Sequence, residues 1–246
     1  MRPVKRLFLL PLLMGMLSLN SAQATTLNDV KTHLAAGQVQ QTIQDALDLK
    51  TSEAYTLAAE ALVLSVRKHI LDKSNAPLLE QAENYARKAI DLNPRNGPAY
   101  YQLSKAIGGQ AVLRGALGGL GALSETRELF EKAVQLAPEY APAQVGLAMW
   151  HANVIKYGTL TAGLYGGKEQ EILPRLQKAV ELEPTVISHE LNYAKALVIL
   201  GNKNKRLKSK YLQDARKHLQ KASQMPILTF WDREDRAEAV ELLKTF

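Results

Sequence analysis

Two histidine pairs, Trp150-His151 and His189-Glu190, are the side chains best suited to acid–base or metal chemistry in a 246-residue sequence that holds five histidines and no cysteine. A zinc-protease helix needs His-Glu-x-x-His, which sets two imidazoles one turn apart on one face with the glutamate as base. Here His189-Glu190 is followed by Leu191, Asn192 and Tyr193, so the second imidazole is missing. A metal site also needs three or more convergent ligands, and the lack of cysteine removes thiolate ligands, disulfides and sulfur nucleophiles together. No Gly-x-Ser-x-Gly elbow or spaced carboxylate pair stands out. The sequence therefore predicts a non-enzymatic protein with no metal and no cofactor, an enzyme with a histidine-containing site being the lesser alternative. Trp150, His151 and His189 are kept as secondary candidates for ligand contact, with hydrogen-bonded packing as the plainer role.

The second chemical candidate is GGQAVLRGALGGLGALS, residues 108–124, with six glycines and a single arginine. A phosphate-cradling loop requires either Gly-x-x-x-x-Gly-Lys-[Ser/Thr] behind a buried strand or a strand–turn–helix dinucleotide fingerprint. The flanks of this segment have helical periodicity instead, which excludes both. Gly115 and Gly119 lie four apart, a spacing that lets helices approach closely, and Val112, Leu113, Leu117, Leu120 and Leu123 would otherwise face water. The segment is expected to pack as a lid across its neighbours, with a subunit contact or a membrane contact as alternatives.

What must position these residues is a repeat. ARKAIDLNP ends at Pro94, FEKAVQLAP at Pro138 and LQKAVELEP at Pro184, with a degenerate copy, HLQKASQMP, ending at Pro226; the intervals are 44, 46 and 42 residues. Each copy is the end of an amphipathic helix, with apolar residues three and four apart and a proline that cannot continue it. Alanine-rich helical stretches follow: GPAYYQLSKAIGG, APAQVGLAMWHANV and VISHELNYAKALVILG, while SEAYTLAAEALVLSV precedes the first proline in the matching place. The unit is a helical hairpin. Ala58, Ala59, Ser104, Ala148 and Ala194 are small where a neighbouring helix must come close, as are Ala89, Ala133 and Ala179 on the second helices; Tyr55, Tyr100, Leu103, Leu147 and Tyr193 supply the bulk beside them.

On these residues the chain resembles the tetratricopeptide repeat (TPR) family over about residues 53–226. The resemblance implies an all-α solenoid of about eleven to thirteen helices, built of helix–turn–helix units whose packing pattern closes on a proline. The family's unit is about 34 residues, so the 42–46 residue units here are elongated, and the excess falls between the two helices of each hairpin. The expected organisation is a signal peptide at 1–24 and one solenoid at 25–246. Within it come an N-terminal hairpin at 25–52, long repeats at 53–94, 97–138, 141–184 and 187–226, and a C-terminal capping helix at 230–246. All four insertions, RKHILDKSNAPL, the glycine-rich segment, IKYGTLTAGLYGGKEQ and NKNKRLKSKY, would emerge on one edge. Around Trp150-His151 and the Tyr-Gly-Gly loop, the chain is also similar to exported proteobacterial repeat proteins and to the T component of TRAP-type transport systems. That component works beside a periplasmic solute-binding protein.

The leader carries Arg2, Lys5 and Arg6, an apolar run from Leu7 to Leu19, and Ala22-Gln23-Ala24, the order of a cleavable secretory signal. The run is short of the roughly 20 residues a bilayer span needs. Cleavage after Ala24 into a bacterial periplasm is the expected fate. The formal charge of +7 falls to about +4 without the three leader cations, too mild for a nucleic-acid face. The one dense cluster, Lys203, Lys205, Arg206, Lys208 and Lys210, suits a solvated surface or an anionic lipid or cell-wall polymer. The sequence thus predicts a binding or assembly module whose first helices line a concave groove. Tyr101, Gln102, Lys105, Met149, Asn153, Asn192 and Lys195 fall one step round from the packing positions. Their amides, lysines and apolar surface would suit a protein or extended peptide, or a small acidic ligand; a second copy of the chain is an alternative partner.

Overall fold

The computed structural model describes residues 24–246, leaving aside the side chains of residues 116–118, so the leader and Leu117 lie outside what is described. It is an all-α solenoid with no strand among the described residues. In chain order the helices are α1 (Leu27–Ala35), α2 (Val39–Leu49), α3 (Ser52–Val66), α4 (Ala76–Leu92), α5 (Gly97–Leu113), α6 (Gly115–Leu120), α7 (Ala122–Leu136), α8 (Ala141–Lys156), α9 (Thr159–Tyr165), α10 (Ile172–Leu182), α11 (Ile187–Lys203), α12 (Lys208–Gln224) and α13 (Asp232–Leu243). The hairpins are α1/α2, α3/α4, α5/α7, α8/α10 and α11/α12, with α6 and α9 lodged in the connections. No helix among the described residues is long and apolar enough to cross a membrane.

The recurring Lys-Ala-x-x-Leu-x-Pro signature builds the turns between hairpins. In all three, the residue before the proline closes the preceding helix, and its carbonyl then accepts the amide three residues on. Asn96 N–H donates to Asn93 O at 3.0 Å, Tyr140 N–H to Ala137 O at 3.0 Å and Val186 N–H to Glu183 O at 3.3 Å. Proline stands second in each turn, where its fixed φ suits the geometry. The alanines behave as the close-approach reading requires: Ala58, Ala59, Ala89, Ala133, Ala148 and Ala179 are wholly buried. Gly97 marks the tightest approach, because a Cβ there would stand 2.6 Å from the Ala137 Cβ and 3.0 Å from the Ala133 carbonyl.

The connections within the four long hairpins, α3/α4 to α11/α12, are not uniform. The first is a pair of 3-10 turns, the second holds α6, and the third holds α9 and a further 3-10 turn. In the fourth, residues 204–207 alone remain between helices, because the extra length goes into α11 and α12, 17 residues each. The glycine-rich segment is less of a lid than its leucines suggest. Gly119 does approach the Ala111 carbonyl, and Leu123 packs on the core around Phe130 and Trp150, but Val112 and Leu120 stay exposed.

The two ends of the described chain meet. Phe230 N–H donates to Ala35 O at 2.8 Å, and the Trp231 indole N–H donates to Leu34 O at 2.8 Å across 197 residues of sequence. The Phe230 ring lies against Gly37, where φ is +74° and a Cβ would collide with the ring. Arg67, just past α3, donates to Trp231 O at 2.6 Å, pairs with Asp235 at 3.1 Å and Glu234 at 3.4 Å, and stacks over the Trp231 indole. The solenoid is therefore a closed superhelix: Phe230 and Trp231, just before α13, bridge its first and last hairpins, and α13 itself reaches Arg67 beyond α3.

Candidate functional site

The inner face of the superhelix gathers charged side chains from distant repeats. Lys105 on α5, Arg67 beyond α3 and Lys195 on α11 lie close enough for their charges to interact. The Lys105 side chain is exposed to the lumen; enclosure by the surrounding superhelix first, then the repulsion of Arg67 and Lys195, holds its ammonium below its ordinary pKa. Two of these cations are already matched by α13: Arg67 by Glu234 and Asp235, and Lys195 by Glu238 at 2.7 Å. Lys105 has no ion-pair partner among the described residues. The lumen is thus a basic surface partly covered by an acidic helix of the same chain.

The inner face also holds a carboxyl that sequence reasoning missed. Glu60 on α3 is pushed up to about 7, first by burial and then by the charge of Glu183. The available signal was a lone acid in the apolar run AAEALVLSV. Tyr101 and Tyr140 are near enough to feel its charge. Their rings meet edge to face at 5.7 Å, and Tyr101 also packs on Phe130 at 5.8 Å. Burial raises both hydroxyls above the ordinary phenol range, with Glu60 adding to the effect, so both remain neutral donors. Gln102 is buried, and its side-chain amide lies against the Tyr140 hydroxyl, where hydrogen bonding offsets part of the effect of burial on that phenol.

Met149, Asn153 and Lys195 come together elsewhere on the same face. They line a cavity of ≈ 720 Å³ between α8, α11, α12 and α13, floored by apolar side chains such as Leu219, Leu242 and Phe246 and edged by Lys156 and Arg216. Lys195 belongs to both groups. Asn192 joins neither, since its amide donates to Ser188 O one turn back on α11.

The histidine candidates are tied into packing. Trp150 is buried, donates to Thr126 Oγ1 at 3.2 Å and lies beneath Arg127. His151 is buried edge-on against it. Its Nδ1 accepts the Lys168 N–H at 3.3 Å, and burial, as the largest effect, pushes it down to about 4. An imidazole neutral at pH 7 with that nitrogen occupied holds the α9–α10 connection against α8. His189 bonds Glu183 at 2.8 Å, while Glu190 turns away to His218 and Lys221 on α12. The adjacent pair therefore serves two separate contacts. No cluster of three or more metal-ligating side chains occurs among the described residues.

Comparison with known proteins gives three results. The family model described as "RMD1-3: Regulator of microtubule dynamics protein 1-3" matches residues 21–246. Regulator of microtubule dynamics protein 1 of Bos taurus is 27% identical over 177 residues, covering 69% of this chain and 53% of the bovine protein. The chain spans about half the length of that curated relative. Among solved structures, the thermophilic TPR protein TTC0263 of Thermus thermophilus superposes with a TM-score of 0.58 at 19% identity, over 87% of this chain and 97% of that one. This likeness shows the TPR fold.

Proposed function

Because the chain belongs to the regulator of microtubule dynamics protein 1–3 family and has a TPR fold, we propose that it is a non-enzymatic scaffold that holds an acidic, extended segment of a partner protein in its lumen. The observation that carries this is the seating of α13. Three of its carboxylates, Glu234, Asp235 and Glu238, already occupy Arg67 and Lys195, while the adjacent Lys105 is left without a counter-ion. The chain thus displays the chemistry its lumen accepts. An incoming peptide would set a carboxylate on Lys105, with Tyr101 and Tyr140 as the apolar wall.

The secretory leader supports a periplasmic site of action after cleavage at Ala24. The bovine relative's name supports a partner that is itself a protein assembly. An accessory role in solute transport would use the same groove, and it differs in predicting capture of a solute-binding protein rather than of a free peptide. The test is an array of acidic, neutral and basic peptides probed with the folded chain. Acidic peptides should be retained by the parent and lost by Lys105→Glu, with the melting curve of the variant unchanged, since surface charge reversals usually cost under about 0.5 kcal/mol. Retention of acidic peptides by the variant would sink the lumen as the site.

A further inference from the structure

The edge of the solenoid that carries the connections within hairpins presents apolar side chains to water. Of ten large apolar side chains exposed among the described residues, six lie on this edge, including Leu160 at 86%, Leu71 at 76%, Leu164 at 75% and Tyr157 at 70%. Single exposed leucines need no explanation; a concentration of them on one edge does. The connections also reach the helices of neighbouring hairpins. Ile70 of the first reaches Gly109 at the end of α5. Arg127, at the start of α7, donates to Tyr165 O of the third at 2.6 Å, and Lys203 pairs with Glu169 at 2.8 Å between the third and fourth.

Cations are interleaved with these side chains in every connection: Lys68 and Lys73 in the first, Arg114 in the second, Lys156 in the third, Lys205 and Arg206 in the fourth. All six are exposed, and none has an ion-pair partner among the described residues. The acids nearby are engaged: Asp72 accepts the Ser74 N–H and Glu169 holds Lys203. Exposed leucines and a tyrosine framed by unpaired lysine and arginine form the composition of an interfacial surface, in which apolar side chains enter the acyl boundary and cations meet phosphate groups.

We propose that this edge docks on an anionic phospholipid bilayer, with Leu71, Tyr157, Leu160 and Leu164 entering the interface and the basic side chains of all four connections meeting the headgroups. The lumen, which faces inward, is left free for its own ligand.

The proposal is tested by co-sedimentation of the mature chain with vesicles of phosphatidylcholine alone and of phosphatidylcholine mixed with phosphatidylserine. Binding is expected for the mixed vesicles alone and should weaken as salt is raised, because interfacial charge is screened within a Debye length. Leu160→Asp with Leu164→Asp should weaken it by about a hundredfold, roughly tenfold for each leucine withdrawn from the interface. Lys205→Gln with Arg206→Gln should weaken it about fivefold for each cation removed. All four side chains are exposed, so melting curves should not move. Leu228→Asp, at an exposed leucine of the connection between α12 and α13, should leave binding unchanged. Equal binding to both vesicle types, no binding to either, full binding by the leucine or cation variants, or an equal loss in Leu228→Asp would each overturn the proposal.

Discussion

The two edges of this solenoid obey different rules. On the edge between hairpins, the Asn93–Asn96, Ala137–Tyr140 and Glu183–Val186 turns share one hydrogen bond and one proline position. On the edge within hairpins, no two connections are alike: 3-10 turns, α6, α9 and a four-residue link all do the same topological job. The difference follows from what each edge holds in place. The short turns fix how one hairpin rotates on the next, and a small change there accumulates along the whole superhelix. The inner connections join helices that already pack on each other, so their length and chemistry are free to vary.

The strongest way to break this comparison is at the connection between α12 and α13, which departs from the pattern of those three turns by reaching across to α1. Trp231→Ala removes a buried indole, its hydrogen bond to Leu34 O and the surface beneath Arg67. A loss of about 3–5 kcal/mol is expected, seen as a fall in melting temperature of about 10 °C at the roughly 2–4 °C per kcal/mol of a domain this size. A shift no larger than that of an exposed tryptophan would show that the ends do not hold each other.

One substitution should have opposite signs on the two edges. Gly97→Ala presses a methyl group against Ala137 and the Ala133 carbonyl, and overpacking of this kind costs about 1–3 kcal/mol. Gly163→Ala, on α9, meets nothing within 4 Å and replaces a helical glycine, which should stabilise by up to about 1 kcal/mol. Thermal melts of the two variants measure the contrast directly, and equal shifts would remove it.

The smallest effect belongs to the inner face. The folded pKa of Glu60, about 7, lies above its ordinary value of 4.5, so the folded state prefers the protonated form. Its contribution to stability is complete below about pH 4.5 and is lost as pH rises through about 7. Glu60 is partly exposed, and solvent screening keeps the change modest. Glu60→Gln should leave the melt near pH 4.5 unchanged and raise it above about pH 7. A variant whose melt tracks the parent at every pH would show that Glu60 is not desolvated.

The fold was legible in the sequence because its determinants are local and repeated. Ala89, Ala133 and Ala179 each precede a Leu-x-Pro by fixed spacing, and each is buried for the same reason. The site was legible only in part. Met149, Asn153 and Lys195 share a face because the repeat places them there. The cation group of Arg67, Lys105 and Lys195 could not be read in the same way, since Arg67 sits in an insertion and reaches the lumen only through α13. Nor does any local pattern announce that Gly37 will receive Phe230. His151 shows the converse case: its residue type suggests chemistry, while its surroundings leave it neutral and spoken for.

Open arrays lengthen and shorten by whole units, since each unit senses only its neighbours. The indole of Trp231 resting on the carbonyl of Leu34 removes that freedom. An extra hairpin inserted between α3 and α12 would carry Trp231 past its acceptor by the rotation of one unit, and a deleted hairpin would leave it short. The hairpin count is thus a closure condition, as strand number is for a barrel. Descent can then diversify this protein by rewriting the connections within hairpins, and not by duplication.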